Sequence, residues 1–318
     1  MSAPWMPRRE GEGHLDERWL LIDIAHQGEV RLACVTPARP EIDKLYTFET
    51  ASLPTFTDAL LRFERESGQT LHGMNAIVAI AGAAVGDAIP VVRTRWNISR
   101  NGITLMLGRP VTILNDTAAK AWATIRRMPA CQAVRGVGLP DFSGRSRHLF
   151  ISMADGIGTA IIDVHDGHVT VLEAEAGHSD FAPQNDLEFA LCKAIAPLGG
   201  PVTYEQVLIG GEGTAGAAAV LAKLSPAQQA ELRGNILGRL ASNLILASGA
   251  WSGVMLDGRS LPTFDPATRR AFDAGFVARK SFRRLINAAP CWRIEQQREA
   301  VLAGAATLML QRTRPQGT

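Results

Sequence analysis

What the chain lacks narrows its possible functions first. No Cys-x-x-Cys pair occurs, and the 4 cysteines, Cys34, Cys131, Cys192 and Cys291, lie far apart. That spacing argues against a structural zinc site and fits reduced thiols in a cytoplasmic protein. No apolar run approaches the roughly 20 residues that cross a bilayer. Residues 1–17 form a polar, charged tail with no hydrophobic stretch ahead of a cleavage site, so neither membrane insertion nor export is expected. An excess of charge of one sign is missing as well: 33 Lys+Arg against 31 Asp+Glu leave a net charge of +2. A nucleic-acid partner, which calls for a strongly basic footprint, is therefore not expected. There is no Walker A lysine motif and no protein-kinase His-Arg-Asp loop. The Asn-x-Ser/Thr sequons at Asn97 and Asn115 are read as chance matches.

What is present is a chain of 318 residues, 46% hydrophobic and 20% charged, long enough for about two domains that each bury a core. Arg18–Ala25 and Glu29–Thr36 are apolar β-compatible runs around a short His-Gln-Gly turn and read as a hairpin, with Asp43–Thr50 as a third antiparallel strand. Pro54 is placed in the first turn of a helix whose Phe56, Ala59, Leu60 and Phe63 share one face up to Gly68. Asn75–Gly82 and Val111–Asp116 read as buried parallel strands, followed by a helix over Thr117–Met128. The pattern then restarts. Arg147–Met153, Gly158–Asp163 and His168–Leu172 read as strands, and Asp186–Ala196, Thr203–Ile209 and Ala215–Leu224 as helices. A long helix from Pro226 to Ser248 is capped by Ser225, with Leu232, Ile236, Leu240 and Leu244 on its apolar stripe. Ser252–Leu256 is a short strand and Glu299–Gln311 the last helix. Two successive β-β-β-α units predict a duplicated α/β architecture with a cleft between its halves. The small domain is expected over 18–117 plus 300–318, and the large one over 118–299.

Several polar groups sit where such a fold binds ligands, and each has a structural as well as a chemical reading. Asp116 ends an apolar strand, where ligands dock on open α/β sheets, and is able there to take a proton from a hydroxyl; equally, Asp116 or Thr117 caps the next helix. Glu175, His178 and Asp180 are gathered in a Gly-containing loop that is either a ligand loop or ordinary surface polarity. Glu205 opens a helix, where a carboxylate also suits the helix dipole. Gly211-Glu-Gly213-Thr-Ala-Gly216 is a literal G-x-G-x-x-G but follows a predicted helix instead of a strand, so it is read as a false match. Ala154-Asp155-Gly156-Ile157-Gly158 is a plain hairpin turn or a turn whose N–H groups approach a phosphate. Arg279, Lys280, Arg283 and Arg284 read as a solvated helix face.

Taken jointly and in order, these segments resemble the bacterial glucokinase family, of the hexokinase and actin-like ATPase fold with its duplicated ribonuclease H-like domains. Three blocks carry the resemblance. Ile113-Leu-Asn115-Asp116 is similar to the family's Asn-Asp element, Glu175-Ala-Gly-His178-Ser-Asp180-Phe-Ala-Pro183 to its Glu-Gly-Gly-His-x-Asp-Phe-Ala-Pro block, and Tyr204-Glu205-Gln-Val-Leu-x-Gly210 to a helix start that supplies another sugar-binding Glu. Ala81–Asp87, Trp96 and Lys280–Phe282 also look like family landmarks, and the zinc-binding cysteine cluster of the related repressor and kinase branch is absent. The resemblance implies phosphorylation of glucose at its 6-hydroxyl with ATP and Mg²⁺, and it implies a homodimer. It makes Asp116 the catalytic base, and Asn115, Glu175, His178 and Glu205 the sugar ligands. Asp23, Gly28, Asp155, Gly156, Gly158 and Gly258 fall on the nucleotide side.

That side departs from the family pattern at three points. The opening Asp-x-Gly-Gly-Thr-Asn turn reads Asp23-Ile-Ala25-His26-Gln27-Gly28-Glu29, the second phosphate loop carries Asp155 in place of a hydroxyl donor, and the Gly-Gly adenosine turn reads Asp257-Gly258-Arg259. Side chains in a turn that needed bare backbone, and added carboxylates, work against a polyphosphate. The same residues therefore also suit a catalytically weak or inactive, regulatory sugar-binding protein. A kinase for another hexose or amino sugar fits them too.

Overall fold

The computed structural model describes residues 16–24, 28–92, 94–210, 214–277, 282–295 and 298–313. The chain divides into two compact units, one drawn from 1–123 with 299–318, the other from 124–298. Among the described residues no helix is long and apolar enough to cross a membrane.

The first unit is built on β1 (Trp19–Ile24), every residue of which is buried. A strand covered on both faces has no need of polar alternation. β2 (Glu29–Val35) pairs antiparallel with β1, and β3 (Tyr46–Glu49) antiparallel with β2. On the other side β4 (Asn75–Ile80) runs parallel to β1 and β7 (Val111–Asn115) parallel to β4, giving the order β3-β2-β1-β4-β7. Helix α1 (Phe56–Ser67) buries Phe56, Ala59, Leu60 and Phe63, the four positions its spacing marks. Its start differs from expectation. Thr55 is the N-cap, bonded to the Asp58 N–H while the Asp58 carboxylate accepts the Thr55 N–H. This reciprocal box fixes the first turn and leaves Pro54 just outside it. A small hairpin of β5 (Ala88–Pro90) and β6 (Asn97–Ser99), not read from the sequence, leads into α2 (Arg100–Leu107).

Helix α3 (Asp116–Arg126) follows β7 directly, and the boundary between the units falls inside it, after residue 123. The reason is packing. In α10 (Ala300–Thr313), Gly304 lies so close to the Ala119 carbonyl that no Cβ fits between them. Ala118, Ala119, Ala121 and Trp122 are correspondingly buried. The first turns of α3 therefore share a core with the C-terminal helix.

The second unit repeats the wiring. β9 (Ser146–Met153), β10 (Ile157–His165) and β11 (His168–Ala174) form an antiparallel meander. β12 (Gly253–Asp257) and β13 (Cys291–Glu295) add to β9 in parallel, and β8 (Ala130–Arg135) closes the edge. The order β11-β10-β9-β12-β13 matches that of the first sheet position for position. The sequence reading missed β8 and β13. Its helices follow: α4 (Asp186–Ile195), α5 (Tyr204–Leu208), α6 (Ala215–Leu221), α7 (Pro226–Ser248), α8 (Pro266–Phe276) and α9 (Arg283–Ala288). Ser225 caps α7 through a box with Gln228, as expected. Its buried face is shifted, however: Ile236, Leu237, Leu240, Ala241 and Ile245 are enclosed, whereas Leu232 and Leu244 are half-buried. The cause is α8, whose Thr268 and Phe272 lie along Gly234 and Gly238. Gly211–Gly213 lie outside the described residues, but helices α5 and α6 flank them, so the G-x-G-x-x-G has no strand in front of it. Arg279 and Lys280 also lie outside; Arg283 and Arg284 are exposed on α9.

One core residue makes stability depend on pH. His148, on β9, is 1% exposed, sits 5.0 Å from the Phe142 ring and 6.4 Å from Trp292, and its Nδ1 has no hydrogen-bond partner. Burial pushes its pKa down to about 4 from 6.5. A depressed histidine leaves stability intact above the unfolded value and removes it as pH falls from 6.5 toward 4, up to about 3 kcal/mol in all. His148→Phe is expected to flatten this acid limb in denaturation curves taken across that interval. Equal slopes in the two proteins would refute the assignment.

Candidate active site

In the first unit, β1, β4 and β7 are parallel, so their carboxyl ends share one edge, with Ile24, Ile80 and Asn115 in register. That edge is where open α/β sheets bind ligands. Asn115 is buried and bridges three elements: its Nδ2 donates to the Gly82 carbonyl at 3.1 Å and its Oδ1 accepts the Thr117 N–H at 2.7 Å. An amide oxygen that takes the N–H two residues on is an N-cap. Asn115 thus caps α3 through its side-chain oxygen. Asp116 is half-buried at the first position of α3, with Lys120 one turn along the same helix.

Asp23 lies on the same edge, 1% exposed and directly opposite Arg31 in the β1–β2 register, and the two form a buried ion pair. Burial pushes the Asp23 carboxyl above its ordinary range, against the pull of the Arg31 guanidinium; Asp116 adds to the rise and Lys120 opposes it. Gly28, at the start of the next strand, presents its carbonyl to the Thr50 N–H (2.7 Å) and hydroxyl (3.0 Å). The turn residues Ala25, His26 and Gln27 between them lie outside the described residues.

In the second unit the Glu175 block is held down from several sides. Residues 176–178 form a single 3₁₀ turn, in which the Ala176 N–H bonds the Thr159 hydroxyl at 3.2 Å and Gly177 packs against Ile157. Beyond it, the Phe181 N–H donates to the Val202 carbonyl (2.7 Å) and the Tyr204 N–H to the Ser179 carbonyl (3.2 Å). This pairing brings the start of α5 alongside the block. Glu205 Oε2 accepts the Ile157 N–H at 2.6 Å, lies beside Gly156, and stands 4.0 Å from His178 Nε2. Glu175, His178 and Asp180 are exposed. Glu205 and His178 are thus brought together, next to the β9–β10 turn that carries Asp155 and Gly156 and leads into Gly158 on β10.

Two residues outside the sequence prediction hold this loop. Arg239, buried on α7, pairs with Glu188 Oε1 at 2.6 Å, donates to the Ala182 carbonyl at 3.2 Å and lies 5.3 Å from the Phe181 ring. Glu188 in turn accepts the Gln184 N–H at 2.8 Å. The signal that could have found it is an arginine inside an otherwise apolar helix face, since a buried charge requires a partner.

The carboxyl ends of β9 and β12 lie side by side, and their turns are tied together. The Ser260 N–H donates to the Met153 carbonyl (3.0 Å), the Ser260 hydroxyl to Ala154 (2.7 Å), and the Ser152 hydroxyl to Asp257 (3.3 Å). Gly258 has φ +115° and lies so close to the Met153 backbone that a side chain is excluded on both counts. Asp155 is ion-paired with Arg259. Among the described residues no group of three or more His, Cys, Asp and Glu side chains is arranged to hold a metal ion. The Asp23 and Asp155 carboxylates, each engaged by an arginine, are not a fitting metal cage.

The family model that matches the chain is Glucokinase, over residues 23–235 and 217–312. A glucokinase of Chromobacterium violaceum is 28% identical over 298 residues, covering 85% of this chain and 81% of that protein. A glucokinase of Stenotrophomonas maltophilia is 25% identical over 291 residues, covering 83% and 86%. Among solved structures, the glucokinase of an Antarctic psychrotroph superposes with a TM-score of 0.70 at 20% identity, over 92% of this chain and 99% of that one.

Proposed function

The chain belongs to the glucokinase family, and from that premise we propose that it transfers the γ-phosphoryl group of ATP to the 6-hydroxyl of glucose. Asp116 takes the proton of that hydroxyl as its oxygen attacks the γ-phosphorus, and the bond to the β–γ bridging oxygen breaks to release ADP. Asn115, Glu175, His178 and Glu205 fix the ring through its other hydroxyls. Asp23, Gly28, Asp155, Gly156, Gly158 and Gly258 border the nucleotide. The metal enters with ATP as its magnesium complex and belongs to the substrate. A soluble cytoplasmic homodimer completes the reading.

The observation that carries it is the division of labour at the end of β7. Asn115 caps α3 by taking the Thr117 N–H, so that bond of the first turn is made without the carboxylate at position 116. Family membership supplies the reaction, and this geometry supports Asp116 as its base. A second reading, a sugar-binding protein without catalysis, draws on the ion pairs of Asp23 and Asp155. Titration calorimetry separates the two: the kinase binds both glucose and Mg·ATP, whereas heat from glucose alone would favour the non-catalytic protein.

A further inference from the structure

At the carboxyl edge of the second sheet an exposed guanidinium spans the turns that follow two adjacent parallel strands. Arg259 follows Gly258 in the turn after β12 and reaches the turn after β9, where it meets Asp155. The backbone beneath it is fixed by the Ser260 bonds to Met153 and Ala154, and by Arg233 Nη2 donating to the Ser260 carbonyl at 2.7 Å. The platform is therefore rigid while the Arg259 side chain is 56% exposed. Ligands of parallel sheets dock outside this edge, and a chain of net charge +2 has no general field to hold an anion, so a local cation must do so.

We propose that Arg259 binds the polyphosphate of the phosphoryl donor, and that Asp155 is its resting partner, exchanged for phosphate when the nucleotide enters. The proposal rests on the kinase reading above. It also answers a question the sequence posed. A carboxylate at position 155 is unfavourable for a polyphosphate taken alone, but it becomes a holder for the arginine that replaces lost hydroxyl and backbone donors. The guanidinium fork suits two phosphate oxygens at once, which an ammonium does not.

The test is steady-state kinetics together with direct ATP binding on the full chain, with inorganic tripolyphosphate as competitor. Arg259→Gln is expected to raise KM and Kd for ATP roughly 10- to 100-fold, leave KM for glucose unchanged, and weaken tripolyphosphate in parallel. Arg259→Lys is expected to fall between the two, and Asp155→Asn to tighten ATP several-fold by removing the competing carboxylate. An ATP affinity within about twofold of the parent in Arg259→Gln, a parallel rise in both KM values, or an undiminished tripolyphosphate effect would each overturn the proposal. So would a parent protein that binds no ATP. A parent that binds ATP through Arg259 without phosphorylating glucose would refute the kinase reading and leave this one standing. An active parent indifferent to Arg259 would do the reverse.

Discussion

Asp116→Asn is expected to lower kcat by about 10²–10⁴-fold while glucose still binds and the thermal midpoint barely moves. The three parts of that expectation have separate causes. Asparagine keeps the shape but has no basic carboxylate, so the hydroxyl proton has nowhere to go as phosphoryl transfer proceeds. Sugar binding survives because Asn115 and the Glu175, His178 and Glu205 group are untouched. The fold survives because the Thr117 N–H is already satisfied by Asn115 Oδ1 at 2.7 Å. What the helix loses is one negative charge in its first turn, about 0.3–1 kcal/mol. A kcat equal to the parent's would refute Asp116 as the base. A collapse of the thermal midpoint would instead return it to the structural role considered from the sequence.

Arg31→Leu carries the largest expected cost in stability. It strands the Asp23 carboxylate, which is 1% exposed, beside Asp116 with its principal counter-charge gone. Breaking a buried pair from one side costs about 3–5 kcal/mol, which corresponds to roughly 4–8 °C in the midpoint of a chain of 318 residues. The sign of the pH dependence identifies the cause. Burial already holds the folded Asp23 pKa above its ordinary value, so the native state binds this proton more tightly than the unfolded chain. Stability from the group is present at low pH and is lost as pH rises through the raised value. Removing Arg31 enlarges that loss, so the deficit of the variant shrinks on acidification. Asp23→Asn in the same background is expected to restore most of the stability at neutral pH. A deficit independent of pH and of Asp23 would show that Arg31 acts through packing alone.

How much of this was legible in the sequence depended on the range of the signal. Helix α1 shows its core face at local spacing, and α7 shows its cap and both its ends, because Ser225, Pro226 and Gly249 sit at the termini themselves. The strands flanking the central hairpins read correctly because they are continuous apolar runs. β13, Cys-Trp-Arg-Ile-Glu, was missed because it is short and carries two charged residues. β8 was missed because alternating small and polar side chains on an edge strand resemble a loop. Helix α8 had a readable Asp265-Pro266 start that the reading passed over.

At the site, residue types were legible and partners were not. Asp155 showed as a carboxylate where a hydroxyl was expected, but the arginine that engages it is 104 positions away, across a parallel crossover no local pattern encodes. Asp23 and Arg31 are different. Pairing a hairpin symmetrically about Gln27 sets Asp23 opposite Arg31, so counting along the hairpin would have found that pair. The capping choice at β7 lay between neighbouring polar residues, and only the direction of one amide side chain decided it.

The measurement closest to the central claim is phosphorus NMR of the full-length protein incubated with glucose and Mg·ATP. The account predicts glucose 6-phosphate and ADP appearing in equal amounts, with no inorganic phosphate in step. ATP left unchanged beside bound glucose, or ATP consumed with only inorganic phosphate formed, would contradict it.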